Sequence, residues 1–191
     1  MLSVLSGAIE ARDPYTRGHS ARVTELAEAV ARRLGWSEER VRSLRVGGRL
    51  HDIGKLGVSD AVLSKKGRLD ENEFAQIRQH PRIGARILLR LASFREALPC
   101  VLYHHERWDG RGYPSGKAGR EIPVEARVLA IADAFDAMTS DRPYRRALTR
   151  SQALAEVERC AGSQFDPEIA RVFLEVFGTE SKRDLRAAAV W

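Results

Sequence analysis

Apolar residues recur at helical spacing along most of the chain, and no stretch alternates as a strand would. From Ser20, the residues Val23, Leu26, Ala27, Val30 and Leu34 share one helical face, and Gly35 stops the pattern. His19 sits at the start of this helix. Ser37, with Glu38 and Glu39 behind it, starts a second helix that carries Val41, Leu44 and Leu50 down to His51 and Asp52. A short helical turn follows Ser59. Asp70 and Glu73 form a capping box for a helix running to His80, where Pro81 begins another as a first-turn proline. Ile83, Ile87, Leu88 and Leu91 give that helix its apolar face. A further helix holds Leu98, Val101 and Leu102 and ends in His104-His105. The glycine-rich stretch from Asp109 to Pro123 has no periodicity, and loops of that length in a compact domain are commonly functional. Val124 to Met138 is the most apolar helix and places Asp133 and Asp136 on one face. Thr149 with Gln152, and Asp166-Pro167, open two more. Leu2 to Arg12 is helical in composition, reads as the tail of a longer connector, and is interrupted by Asp13-Pro14. The prediction is all-α, a single bundle of about seven to nine helices. Residues 1–12 form the connector-like helix, 13–178 the domain and 179–191 a C-terminal tail.

Composition narrows the class. The chain has 191 residues, 43% of them hydrophobic, enough to bury one substantial core. A net charge of +6 suits an anionic partner such as a phosphate ester. No long basic run and no basic stripe interleaved with aromatics occurs, which argues against nucleic acid. Cys100 and Cys160 form no CxxC pair, which fits a reducing cytoplasm, and Cys100 reads as a small core hydrophobe. The N-terminus lacks a signal-peptide pattern, and no apolar run reaches the length of a membrane span.

The chemistry lies in the histidines. All five, His19, His51, His80, His104 and His105, fall at or near predicted helix ends. His51-Asp52 offers an imidazole nitrogen beside a carboxylate, a donor set that iron, manganese or zinc accepts. Neighbours on a regular helix point about 100° apart, so this pair converges only where the helix distorts or ends. Gly54 reads as that break. Lys55 brings a cation to the same place, of use to an anionic substrate. Asp133, in an otherwise apolar helix, needs a partner or a metal. These donors suffice for two metals with open positions.

The order His19 … His51-Asp52 … Asp133 resembles the HD phosphohydrolase superfamily. More narrowly, Tyr15-Thr16-Arg17-Gly18-His19-Ser20, His51-Asp52-Ile53-Gly54-Lys55-Leu56-Gly57 and the segment from His104 to Pro114 resemble the HD-GYP family, as does Asp133 to Arg145. The resemblance implies an HD-domain-like helical bundle with a metal site in its core, acting as a cyclic-di-GMP phosphodiesterase. It implies that His19, His51, Asp52 and Asp133 hold one divalent metal and His80, His104 and His105 a second, with Asp52 bridging. Iron or manganese is favoured and zinc is accepted. Asp52 and Lys55 are the expected catalytic residues, Lys55 also approaching the substrate phosphate. Gly112, Tyr113 and Pro114 lie beside the site, and Arg142 and Arg145 are basic positions for the substrate phosphates. Some relatives hold a third metal through a glutamate where this chain has Tyr15, so two metals are expected. Asp136 reads as an orienting partner for a histidine. The two metals would present one water as hydroxide near neutral pH, giving linear pGpG and then GMP.

Two other classes stay open: a binding module that senses the dinucleotide or docks a GGDEF-domain protein, and a di-iron oxygenase on the same fold. Cyclic GMP-AMP presents the same phosphodiester and is an alternative substrate. Further partners weighed are an upstream sensor or receiver domain and a second copy of the chain.

Overall fold

A computed structural model describes residues 2–12, 18–65, 67–141 and 146–188. The helices are α1 (Leu2–Arg12), α2 (His19–Arg33), α3 (Glu38–Leu50), α4 (Asp60–Leu63), α5 (Glu71–Ile77), α6 (His80–Leu89), α7 (Leu98–Tyr103), α8 (Val124–Thr139), α9 (Arg150–Arg159) and α10 (Pro167–Ala188). No strand occurs among the described residues, so the all-α expectation holds. No described helix is long and apolar enough to cross a membrane.

Local chemistry starts the helices where the sequence places them. Ser37 accepts from the Arg40 amide, Asp70 and Glu73 close a reciprocal capping box, and Thr149 does the same with Gln152. Asp166 accepts from the amides of Glu168 and Ile169 and starts α10. α10 then continues as one helix through residue 178 to Ala188.

Two apolar cores meet around the histidines. In the first, Val23, Ala27 and Val30 of α2 pack against Val41 and Leu44 of α3, Val128, Ile131 and Phe135 of α8, and Phe173 of α10. The second gathers Ile9, Leu50, Ile53, Leu88, Phe94 and Val101. Leu50 and Ile53 flank His51-Asp52 and are both fully buried in the second core, which anchors that dipeptide on it. Val58, Val62 and Leu63 form a satellite cluster, closed by Leu69 and Ile77, that seats α4 and α5. α1 is docked: Ile9 is buried, and the Arg12 guanidinium donates to Leu56 O, Val58 O and Asp60 Oδ1.

Two local expectations change. α5 ends at Ile77 rather than His80, and His80 is the first residue of α6. Pro81 has no N–H to give to Ile77 O, so α5 cannot run through. Gly54 is not the break in α3. That helix has already ended at Leu50, and Asp52 (φ −94°, ψ 7°) turns the chain into a 3₁₀ segment, Ile53–Gly57. Gly54 serves close approach instead. A Cβ there would lie 1.7 Å from His80 O and 2.6 Å from the Gly84 amide, so its absence lets α6 rest on the 3₁₀ segment.

Candidate metal centre

Helix ends deliver the donors. His51 caps α3, His80 opens α6, His104 caps α7 and His19 opens α2. The last carbonyls of a helix have no amide partner within it. At three of these ends an imidazole Nδ1 donates to a carbonyl of the preceding turn: His51 to Gly48 O (2.8 Å), His80 to Ile77 O (2.8 Å) and His104 to Cys100 O (3.0 Å), which also accepts the His104 amide. His19 Nδ1 instead meets Asp136 Oδ2 at 2.7 Å. At His51, His80 and His104 the carbonyl places the proton on Nδ1 and leaves Nε2 as a lone-pair donor, while the Nε2 of His19 faces Asp133.

Those nitrogens converge on Asp52. Its Oδ2 lies 3.5 Å from His51 Nε2 and its Oδ1 lies 3.3 Å from His80 Nε2. His80 and His104 bring their Nε2 atoms within 3.3 Å of each other. Donor atoms of His19, His51 and Asp52 lie within 4.8 Å of one another, and so do those of Asp52, His80, His104 and His105. Asp52 belongs to both groups. Asp133 joins through Oδ1, 3.2 Å from His19 Nε2. The Nε2 of His51 is buried with no hydrogen-bond partner among the described residues. A buried donor atom left so is costly unless a cation completes it. The residues present therefore fit divalent metal.

The electrostatics agree. Burial alone would raise the Asp52 carboxyl, but Lys55 Nζ at 2.8 Å and the surrounding imidazoles hold it well below the carboxylate range. Asp133 is likewise held down, burial being outweighed by His19. Burial pushes His80 and His104 below the ordinary histidine range and His105 down to about 3, so all three are neutral. At His19 burial acts in the same sense, yet Asp133 and Asp136 outweigh it and raise its pKa to about 9. The field there favours a positive charge, whether proton or metal.

A cleft of about 330 Å³ opens on this cluster, with His104, His105 and Asp133 at its base. Gly112 and Tyr113 line it. A Cβ on Gly112 would stand 2.4 Å from the Arg107 amide and 2.5 Å from Glu106 Cα, so only glycine lets the loop lie on this backbone. Tyr113 stacks on His105, ring centres 4.8 Å apart, and is joined to Pro114 by a cis peptide. Pro114 O accepts from Arg82. Glu106 anchors the loop through the Ser115 amide, and Asp109 through Arg107. Trp108 lies beneath Arg127, outside the cleft lining. Arg142, Arg145, Asp13 and Tyr15 lie outside the described residues. Sequence reasoning passed over Arg22, whose guanidinium grips Asp136 at 2.6 Å, and Phe74 and Arg78, which line the cleft from α5 and its end. The capping box placed α5, but nothing local said what it would cover.

The comparisons follow the geometry. The HD domain family matches residues 3–169. A cyclic di-GMP phosphodiesterase of Thermotoga maritima is 41% identical over 92% of this chain and 48% of its own length. RpfG of Xanthomonas campestris, a cyclic di-GMP phosphodiesterase response regulator, is 43% identical over 91% of this chain and 46% of its own. The crystal structure of V-cGAP3, a cyclic GMP-AMP specific phosphodiesterase of Vibrio cholerae, superposes with a TM-score of 0.58 at 34% identity, covering 93% of this chain and 40% of that one. The chain thus spans about half the length of the curated relatives it matches. With its His-Asp pair at the centre of a helical bundle and the family match running through nearly all of it, the chain belongs to the HD domain family.

Proposed function

We propose that this chain is a metal-dependent phosphodiesterase that hydrolyses cyclic-di-GMP to linear pGpG and, on a second turnover, to GMP. The observation that carries the reading is Asp52, whose two carboxylate oxygens face two separate groups of imidazole Nε2. His19, His51, Asp52 and Asp133 would hold one divalent cation and His80, His104 and His105 a second, with Asp52 shared. Imidazole and carboxylate donors suit iron or manganese and accept zinc. Bound there, the two cations supply acidified water near neutral pH and positive charge toward the phosphoryl oxygens.

The chain's own side chains do the rest. The carbonyls behind His51, His80 and His104, and Asp136 behind His19, hold each ring in one tautomer and one orientation. Lys55, seated on Asp52, sets an ammonium where negative charge develops on the phosphoryl group. Gly112 and Tyr113 line the cleft that would confine the substrate, Pro114 holds their loop through Arg82, and Arg142 and Arg145 are carried as phosphate contacts from the sequence. The Thermotoga and Xanthomonas relatives support cyclic-di-GMP as substrate. V-cGAP3 supports cyclic GMP-AMP as the second reading, with the same bond cut. A GGDEF-domain partner, an upstream sensor or receiver domain, a second copy of the chain and a cytoplasmic setting belong to the same proposal through the HD-GYP resemblance.

The test is anaerobic incubation of metal-analysed protein with cyclic-di-GMP and ferrous iron or manganese, followed by chromatography. pGpG or GMP should appear with the natural protein and be absent with Asp52→Asn. Turnover surviving in both Asp52→Asn and His51→Ala would overturn the reading.

A further inference from the structure

Arg78 caps the C-terminus of α5, and its guanidinium carbon sits 5.0 Å from the centre of the Tyr113 ring and 5.9 Å from that of Phe74. Tyr113 stacks in turn on His105. The arginine therefore caps a column of rings whose inner end is the metal centre. Among the described residues no carboxylate pairs with Arg78, and none pairs with the side chain of Arg111, which lines the same cleft. The third arginine there, Arg107, is different: Asp109 holds it at 2.7 Å and Gln164 at 3.1 Å. The helix carrying Phe74 buries none of its residues, and Phe74 itself is 47% exposed. This edge of the cleft thus presents an aromatic face and two guanidinium groups, of which Arg78 makes no ion pair among the described residues and Arg111 has only the more distant charge of Asp109 nearby.

The substrate supplies what is missing. A cyclic dinucleotide carries two phosphodiesters on one macrocycle, each with a full negative charge. One is cut at Asp52 and Lys55. The other must enter the same cleft away from Lys55, where an anion left without a partner is costly. A guanidinium packed on an aromatic ring is partly desolvated and preorganised for a phosphate oxygen. We propose that Arg78, together with Arg111, forms a second anion subsite that holds the phosphodiester not being cut. The assignment rests on the proposed reaction, since it presumes a substrate with two phosphates.

The experiment compares natural protein, Arg78→Gln and Arg78→Lys at equal metal content. The substrates are cyclic-di-GMP, cyclic GMP-AMP and bis(p-nitrophenyl) phosphate, a diester with a single phosphate. Loss of a hydrogen bond to a charged group predicts that Arg78→Gln raises KM for both cyclic dinucleotides by roughly ten- to a hundredfold. The loss of kcat/KM on the single-phosphate diester should be at least ten times smaller, and Arg78→Lys should recover part of the affinity. Equal losses on all three substrates would overturn the subsite, placing Arg78 behind Tyr113 and His105 as a support of the metal centre. A loss confined to cyclic-di-GMP would also overturn it, because that pattern reads a base. So would no loss on any. If the natural protein cleaves the model diester but neither dinucleotide, the proposed reaction falls. The subsite is then read by equilibrium binding of cyclic-di-GMP: weaker binding in Arg78→Gln upholds it, and equal binding overturns it.

Discussion

Replacing Gly54 by alanine tests how the two metal groups are held in register. The added Cβ would stand 1.7 Å from His80 O, 2.7 Å from His80 C and 2.6 Å from the Gly84 amide, against 3.4 Å or more for ordinary contact. All three atoms are backbone, so no rotamer change relieves the overlap, and α6 must lift from the Ile53–Gly57 segment. Overpacking of this kind costs roughly 1–3 kcal/mol, and a backbone neighbour puts it at the upper end. For a chain of this size each kcal/mol lowers Tm by about 2–4 °C, so a fall of roughly 6–12 °C is expected. The same displacement pulls His80 from Asp52, now 3.3 Å apart, and should empty the group formed by His80, His104 and His105. Gly57→Ala is the control, because its Cβ meets only side-chain atoms of Ile83, the nearest at 2.9 Å. Thermal unfolding and metal analysis of both variants provide the readout. Gly54→Ala with an unchanged Tm and full metal content would refute the close-approach argument.

His19 sets a second expectation. With its pKa raised to about 9, it is protonated in the metal-free protein at neutral pH, and a metal entering at its Nε2 must expel that proton. His80 and His105 are already neutral and release nothing. Calorimetric metal titration in buffers of different ionisation enthalpy should show about one proton released per chain at pH 7, with affinity rising about tenfold per pH unit toward pH 9. The metal-free protein carries the opposite linkage. Stability from His19 is complete below pH 6.5 and is lost as pH rises through about 9, a change on the order of 3 kcal/mol that urea unfolding across that range would read. Asp136→Asn weakens the acceptor on His19 Nδ1 and releases Arg22. It should cost roughly ten- to a hundredfold in affinity for one of two metals while the fold persists, as circular dichroism and metal titration would show.

The sequence made the helices legible wherever a cap is local. Ser37, Asp70 and Thr149 each announce a helix by a bond reaching three residues on, and all three do so in the structure. The donors were legible for another reason: histidines at predicted helix ends, in the order of a known family, leave few alternatives. What stayed hidden depends on residues far apart in the chain. Nothing near Gly54 says that His80 O will lie against it, and nothing near Arg22 points to Asp136. Arg78 reads as one more surface arginine until Tyr113 arrives beneath it from another segment.

The carbonyls behind His51, His80 and His104 have a consequence for how this chemistry is inherited. Ile77 O is free to take the proton of His80 because Pro81 has no amide hydrogen to offer it. A residue with no polar side-chain atom thereby chooses a tautomer in the histidine cluster. Alanine at position 81 would restore the competing amide, and nitrogen NMR of the histidine rings should then find His80 populating both protonation isomers. Transplanting the seven candidate donor side chains into another helical bundle would carry over the residues without the instructions for their protons. Those instructions are written in where each helix stops.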